Sequence, residues 1–342
     1  MGRPTIRSLA EAAGVSVATV NRVLAGSTNV RKETATRVQE AALEIGFYGA
    51  KAIRSRIAAS RVRYRFGFLL HQPSRPFYQS LAKALETAGE QKDDCKIEAR
   101  VEFLDDLSPE NTASRMLALG ENCDAVGVVA AVHPLVTQAI AELSGKGKPV
   151  FALISQLAAY GQVHYVGLDN WKVGRTAAWA FEHICERPGK LGILLGNPRY
   201  QCQEMNEAGF RSYFRECAPE FTLLEPLSTF ETRAVAQEMT EKLIREHPDL
   251  VGLFISGGGI TGAIAGLRST GMAGKIVAVG YEMIDVTRTA LLDGTLTFLI
   301  AHPLKRLADE TIAGMVEAVS SAGQSGPFTT VLPFEIFTRE NL

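Results

Sequence analysis

Apolar residues recur every three to four positions at the start of the chain. Thr5 precedes Ile6, Leu9, Ala10 and Ala13, the i, i+3, i+4, i+7 stripe of an amphipathic helix with a capping hydroxyl in front of it. Gly14 supplies a turn, because glycine tolerates the left-handed backbone there. Ser16 then caps a second helix that turns Val20, Val23 and Leu24 inward. A third runs from about Glu33 to Gly46, with Thr34, Val38, Ala41, Ala42 and Ile45 on one stripe. Helices this short must share one miniature core.

From Phe66 the period changes. Short apolar strands alternate with amphipathic helices such as Tyr78–Gln91 and Gly174–Cys185. Phe66–Leu70, Lys96–Phe103, Ala125–Ala130 and Pro149–Ile154 form a first set of strands. Val163–Gly167, Leu191–Leu195, Phe221–Leu227, Leu250–Ile255 and Ile276–Gly280 form a second. Such alternation predicts parallel sheets covered on both faces, and its length predicts two stacked lobes rather than one sheet.

Charge changes this picture at one place. Residues 1–65 hold twelve Lys/Arg and four Glu, a balance of +8. The rest holds 24 basic and 33 acidic residues, −9, and together they give the net −1. A basic head on an acidic body points to a polyanionic partner at the N-terminus, although a solvated basic face has the same composition. Residues 49–65 carry Lys51, Arg54, Arg56, Arg61, Arg63 and Arg65 without one acidic residue, as a linker ordered by an anionic partner would. Five scattered cysteines lack C-x-x-C spacing, six histidines lack ligand spacing, and neither a secretory h-region nor a membrane-length apolar run is present. The expectation is a cytoplasmic protein with reduced thiols, no metal, no cofactor and no membrane partner.

The stretch from Thr5 to Gly26, with Leu9-Ala10, Ala13-Gly14-Val15-Ser16, Val20 and Arg22-Val23-Leu24, resembles the DNA-binding headpiece of the LacI/GalR repressor family; Val30 and Thr34-x-x-Arg37-Val38 extend the likeness. The resemblance implies an all-α helix-turn-helix headpiece whose second helix enters the major groove of operator DNA. Val17 and Ala18 stand where family members touch base edges, and their small apolar side chains suit thymine methyls. Arg22 is the candidate for a bidentate guanine contact. Thr5, Ser16, Thr19 and Asn21 are candidates for phosphate contacts, with helix capping as the alternative role of Thr5 and Ser16, and Asn29 and Arg31 are further DNA-binding candidates. Family members commonly have serine and asparagine where this chain has Asn21 and Ala25. In the hinge, Arg54 matches, but Arg56 replaces the leucine that relatives wedge between base steps, and Gly49 replaces a usual proline. Ile53 or Ile57 is an alternative wedge, and Arg56 an alternative reader of a narrow A·T-rich groove.

The remainder, through Phe66-Gly-Phe-Leu-Leu70, Pro76-Phe77-Tyr78, Val166-Gly-Leu-Asp169-Asn170, Gly209-Phe210, Val279-Gly280-Tyr281-Glu282 and Leu332-Pro333-Phe334-Glu335-Ile336, resembles the family's effector domain. That implies an α/β periplasmic-binding-protein-like domain of two doubly wound parallel-sheet lobes with a small molecule between them. The implied organisation is headpiece 1–48, hinge 49–65 and sensor 66–342, with lobe 1 at about 66–166 and 301–325 and lobe 2 at about 167–300 and 326–342. Matched positions give Phe77 and Tyr78 as stacking groups, and Ser155, Gln156, Glu204, Asn206, Ser256, Glu282 and His302 as polar contacts. His302 before Pro303 also fits a helix start. With Glu204 and Glu282 present and the family's effector arginine absent, the expected ligand is a neutral sugar or polyol, or an amino sugar. Taken together, these readings describe a repressor, a homodimer or tetramer on inverted repeats, whose DNA affinity follows cleft closure.

Two rivals remain open on sequence. Gly257-Gly-Gly259-Ile-Thr-Gly262 satisfies G-x-G-x-x-G after a strand, with Glu282 ending the next, which would suit an NAD-dependent oxidoreductase. The body alone would also suit a sugar-binding transport protein, which a basic headpiece does not.

Overall fold

The computed structural model describes residues 4–25, 30–53, 62–159, 163–321 and 326–342. The chain divides into two compact units, residues 1–63 with 92–96, and residues 64–91 with 97–342.

In the first unit, α1 (Ile6–Ala12), α2 (Val17–Ala25) and α3 (Lys32–Glu44) pack around Leu9, Val20, Val38 and Ala42, all fully buried. Thr5 and Ser8 form a reciprocal capping box: Ser8 N–H donates to Thr5 Oγ1 at 3.2 Å and Thr5 N–H to Ser8 Oγ at 2.7 Å. Thr19 N–H donates to Ser16 Oγ at 3.1 Å, so Ser16 caps α2 as the pattern predicts. Gly14 has φ +61° with open space around it, so conformation, not room, requires glycine there. The unit runs further than residue 48. Residues 50–53 are helical, and Phe47 and Ile53 belong to its core. Ile53 is fully buried, which removes it as a candidate wedge; Ile57 lies outside the described residues.

The second unit holds two sheets. The first comprises β1 (Arg63–His71), β2 (Lys96–Leu104), β3 (Ala125–Val128), β4 (Val150–Leu153), β5 (Val163–Leu168) and β12 (Thr329–Leu332), in the order β12-β5-β4-β3-β1-β2. Helices α4 (Pro76–Glu90), α5 (Pro109–Asn122), α6 (Pro134–Gly145) and α12 (Leu304–Ser320) accompany it. The second sheet comprises β6 (Lys190–Leu195), β7 (Thr222–Leu223), β9 (Leu250–Ser256), β10 (Val277–Tyr281), β11 (Phe298–Ala301) and β13 (Glu335–Phe337), in the order β13-β11-β10-β9-β6-β7, with β8 (Leu227–Ser228) beside β6. Its helices are α7 (Asn170–Ile184), α8 (Gln201–Cys217), α9 (Arg233–Glu246), α10 (Ile260–Ser269) and α11 (Asp285–Leu292). The β1–β3, β3–β4, β4–β5, β5–β12, β6–β9, β9–β10 and β10–β11 ladders are parallel, and β11–β13 is antiparallel. Central strands such as β3, β4 and β11 are buried at every position, as parallel strands covered on both faces must be.

Val163–Leu168, in the second set by its place in the chain and, as far as residue 166, in the expected lobe 1, pairs with β4 in the first sheet. Thr329–Leu332 pairs with β5, so 326–342 does not lie wholly in the second lobe. Among the described residues the chain therefore passes between the lobes after β5, after β11 and after β12. The expected strand Phe221–Leu227 reduces to the two-residue strands β7 and β8.

Candidate functional site

On α2, Val17 is 43% exposed, and Ala18, Asn21 and Arg22 also face outward, opposite the buried Val20 and Val23. The outer face thus carries two small apolar groups at the helix N-terminus and a guanidinium one turn on. Among the described residues no carboxylate pairs with Arg22. Thr5 and Ser16 serve as caps, and Thr19 Oγ1 lies 2.9 Å from Ser16 Oγ. Arg31 is exposed just before α3. Asn29, Arg54 and Arg56 lie outside the described residues.

In the second unit a cavity of about 590 Å³ opens between the lobes at the carboxyl ends of the strands. Phe77 and Tyr78 at the start of α4, Ser155 after β4, Asn206 on α8, Glu282 after β10 and His302 after β11 all line it. The rings of Phe77 and His302 stand 6.0 Å apart. Ser256 lies just behind the wall, hydrogen-bonded at 3.0 Å to the Asn206 amide. Two candidates are not brought in. Glu204 is exposed, because two positions along α8 from Asn206 is the opposite face. Gln156 is exposed as well; the chain reverses at Ile154, φ +68°, which sends Ser155 inward and Gln156 out.

That reversal belongs to a pattern. Among the described residues, the non-glycine positions with positive φ are Ile154, Phe230, Glu231 and Glu282. Ile154, Glu231 and Glu282 line the cavity, and Phe230 adjoins it in sequence. A left-handed conformation costs such residues about 1–3 kcal/mol each and persists where surrounding structure demands it. Here the demand is that strand ends turn back and present their side chains to one space.

The polar groups of the cleft come in pairs. Arg75 Nη1 donates to Glu231 Oε2 at 2.7 Å, and Gln203 Nε2 to Glu231 Oε1 at 2.8 Å. Glu282 Oε1 accepts from His302 Nδ1, leaving His302 Nε2 buried without a partner among the described residues. His71 Nε2 lies 3.0 Å from both the Val129 carbonyl and the Tyr200 hydroxyl. The carbonyl can only accept, so Nε2 carries the proton and Nδ1 is a buried lone pair without a described partner. Arg75 and His71 come from the first lobe, Glu231, Gln203 and Tyr200 from the second. None of these five was singled out from sequence. Arg75 directly precedes Pro76-Phe77-Tyr78, which could have flagged it; Glu231 sits in no motif, 156 residues from its partner.

Burial holds the His71 imidazole down at about 4, the nearby Glu231 opposing this and Arg75 adding to it. Burial does the same to His164, stacked on Phe151 at 4.3 Å. Both folded values lie below the ordinary 6.5, so the unfolded chain takes up protons first. The contribution of these two histidines is then full above pH 6.5, falls as pH drops towards 4, and levels off below. For fully buried His71 the loss is about 3 kcal/mol. Denaturant titrations between pH 7.5 and 4 should record it, and His71→Gln should flatten the curve. A variant curve parallel to the wild type would show that His71 does not carry the effect.

The glycine turn that resembled a nucleotide fingerprint has another occupant. A Cβ built on Gly258, or on Gly196 opposite, would lie 1.7 Å from a Glu231 carboxylate oxygen. The bare backbone of Gly257–Gly259 makes room for a side chain of the protein itself.

Comparison with known proteins agrees with both units. Residues 5–49 match the model of bacterial regulatory proteins of the lacI family, and residues 66–325 match that of the periplasmic binding protein domain. The chain is 25% identical over 326 residues to the ribose operon repressor of Bacillus subtilis (strain 168), covering 92% of each protein. It is 24% identical over 343 residues to the sucrose operon repressor of Streptococcus mutans serotype c, covering 98% of this chain and 99% of that one. Among solved structures, a periplasmic solute-binding protein from Actinobacillus succinogenes 130z with bound D-allose superposes with a TM-score of 0.72 at 20% identity, covering 81% of this chain and 98% of that one. With the strand ends, the two-lobed cleft and the capped three-helix unit in place, the chain belongs to the periplasmic binding protein domain family and carries at its N-terminus the helix-turn-helix domain of the lacI-family regulatory proteins.

Proposed function

We propose that this protein is a sequence-specific DNA-binding regulator, a repressor, whose operator affinity is set by a neutral sugar or polyol held between the lobes. The observation that carries this reading is the cleft itself, where an aromatic pair and two carboxylates meet, each carboxylate already matched. Phe77 and Tyr78 offer ring faces to the C–H side of a sugar, and Glu282 with His302 and Asn206 offers paired hydrogen-bonding groups to vicinal hydroxyls. The grounds for neutrality differ from those read in sequence. Glu204 faces away, Arg75 is matched by Glu231, and with the exposed Arg233 and with Glu282 the lining holds as many carboxylates as guanidinium groups. The repressors of ribose and sucrose operons among the relatives, and D-allose in the structural neighbour, point to the same ligand class.

The protein acts as a homodimer on an inverted repeat, since two headpieces must be held at fixed separation for such a site. Regulation rather than hydride transfer is the reading supported by the glycine turn, which Glu231 fills. The helix-turn-helix domain likewise favours a regulator over a transport component. A thermal-shift screen of sugars and polyols tests the effector: a true ligand raises the melting temperature by mass action, about 2.7 kcal/mol at a hundred times its Kd. A set of hits confined to phosphorylated or carboxylated sugars would contradict the neutral-ligand reading.

A further inference from the structure

The Arg75–Glu231 pair joins the two lobes and is built with more care than an incidental ion pair. The Glu231 side chain is 7% exposed and that of Arg75 25%. One carboxylate oxygen accepts from Arg75 Nη1 and the other from Gln203 Nε2. Gln203 is itself aimed, because its Oε1 accepts from the backbone N–H groups of Gly196 at 2.7 Å and Asn197 at 2.9 Å. Gly196 and Gly258 flank the carboxylate so closely that any side chain on either would collide with it. A Cβ on Gly258 would also lie 2.7 Å from Arg75 Nη2, so the guanidinium stands over the same turn. Consecutive left-handed residues, Phe230 at φ +50° and Glu231 at φ +60°, hold the side chain there against backbone preference.

A guanidinium, a side-chain amide donor and a bare glycine turn are the groups that would receive a free phosphate or carboxylate. We propose that Glu231 is a resident anion in the effector cleft and the residue that makes the sensor refuse anionic sugars. A phosphorylated or carboxylated ligand entering this part of the cleft must either displace Glu231 or lie beside it as a like charge. A neutral polyhydroxyl ligand meets neither penalty. This rests on the reading of the cleft as the effector site, and gives its selectivity a named cause.

The test uses the full chain, with inorganic phosphate, D-ribose 5-phosphate and D-ribose as probes at constant ionic strength. Melting temperature and calorimetric affinity are read for wild type, Glu231→Ala, Glu231→Gln and the double variant Glu231→Ala with Arg75→Ala. Wild type should ignore phosphate. Glu231→Ala should bind phosphate or the sugar phosphate at least about tenfold more tightly than wild type does, Glu231→Gln should gain in the same direction, and the double variant should lose the gain. Should the Ala variant fail to fold, the near-isosteric Gln variant decides. Folded variants no more responsive to phosphate than wild type, or a wild type that already binds it as well as they do, would overturn the proposal. The two readings fail separately. A wild type stabilised by no neutral sugar or polyol, beside a Glu231→Ala variant that gains phosphate, would sink the effector assignment alone.

Discussion

Replacing Leu9 by Ala is expected to abolish operator binding while leaving the sensor domain folded. Leu9 is fully buried, in one core with Val20, Val38, Ala42 and Ile53. Truncating such a residue costs about 2–5 kcal/mol, through lost transfer energy and the cavity left behind. A unit of this size has little more than that in reserve. DNA affinity measured by fluorescence anisotropy should vanish with the headpiece amide protection, while the main thermal transition of the second unit stays in place. Arg22→Ala provides the contrast. Arg22 is exposed, so its loss should leave the helices intact, cost about 1–3 kcal/mol at the preferred site and relax base preference there. An Arg22 variant that weakened all sequences equally would mark the residue as a phosphate contact only.

The second large effect is expected at Arg75→Ala. Its removal leaves Glu231 buried with Gln203 as its remaining described donor. Breaking a buried pair on one side costs about 3–5 kcal/mol, because the abandoned charge cannot return to water; the surviving amide and the partial exposure of Arg75 place this case at the lower end. The pair joins the lobes that enclose the effector, so its loss should weaken effector binding by about 100-fold. Glu231→Gln in the Arg75→Ala background should recover most of it, since a neutral amide carries no stranded charge. An Arg75→Ala protein matching wild type in melting temperature and effector affinity would show that the pair does not hold the lobes together.

What could be read from the chain divides along physical lines. The headpiece was legible because its information is local: the Thr5–Ser8 box, the Ser16 cap and the Gly14 turn each act within a few residues. The alternation of strands and helices was legible for the same reason. The last crossover was not, because nothing local to Thr329–Leu332 says that it pairs with β5 in the first sheet rather than joining the second. In the cleft, Phe77, Tyr78, Ser155, Asn206, Glu282 and His302 were placed by resemblance, and the structure brings them together. Glu204 was misplaced because two residues along a helix reverse the facing. Arg75 and Glu231 were missed because nothing local joins positions 156 apart. Ile53 read as a linker residue because its burial depends on the fold of the whole headpiece.

In the proposed function the N-terminal unit reads duplex DNA and the cleft decides how tightly. Selection of binding sequences from a random duplex pool, followed by titration of the winner with and without the stabilising sugar, tests it in one measurement. The expected result is an inverted repeat, a log–log salt slope near −0.9 for each phosphate neutralised, and a shift in affinity of at least about fivefold when the sugar is added. Failure of the full chain to prefer any double-stranded sequence, even at low ionic strength, would contradict it.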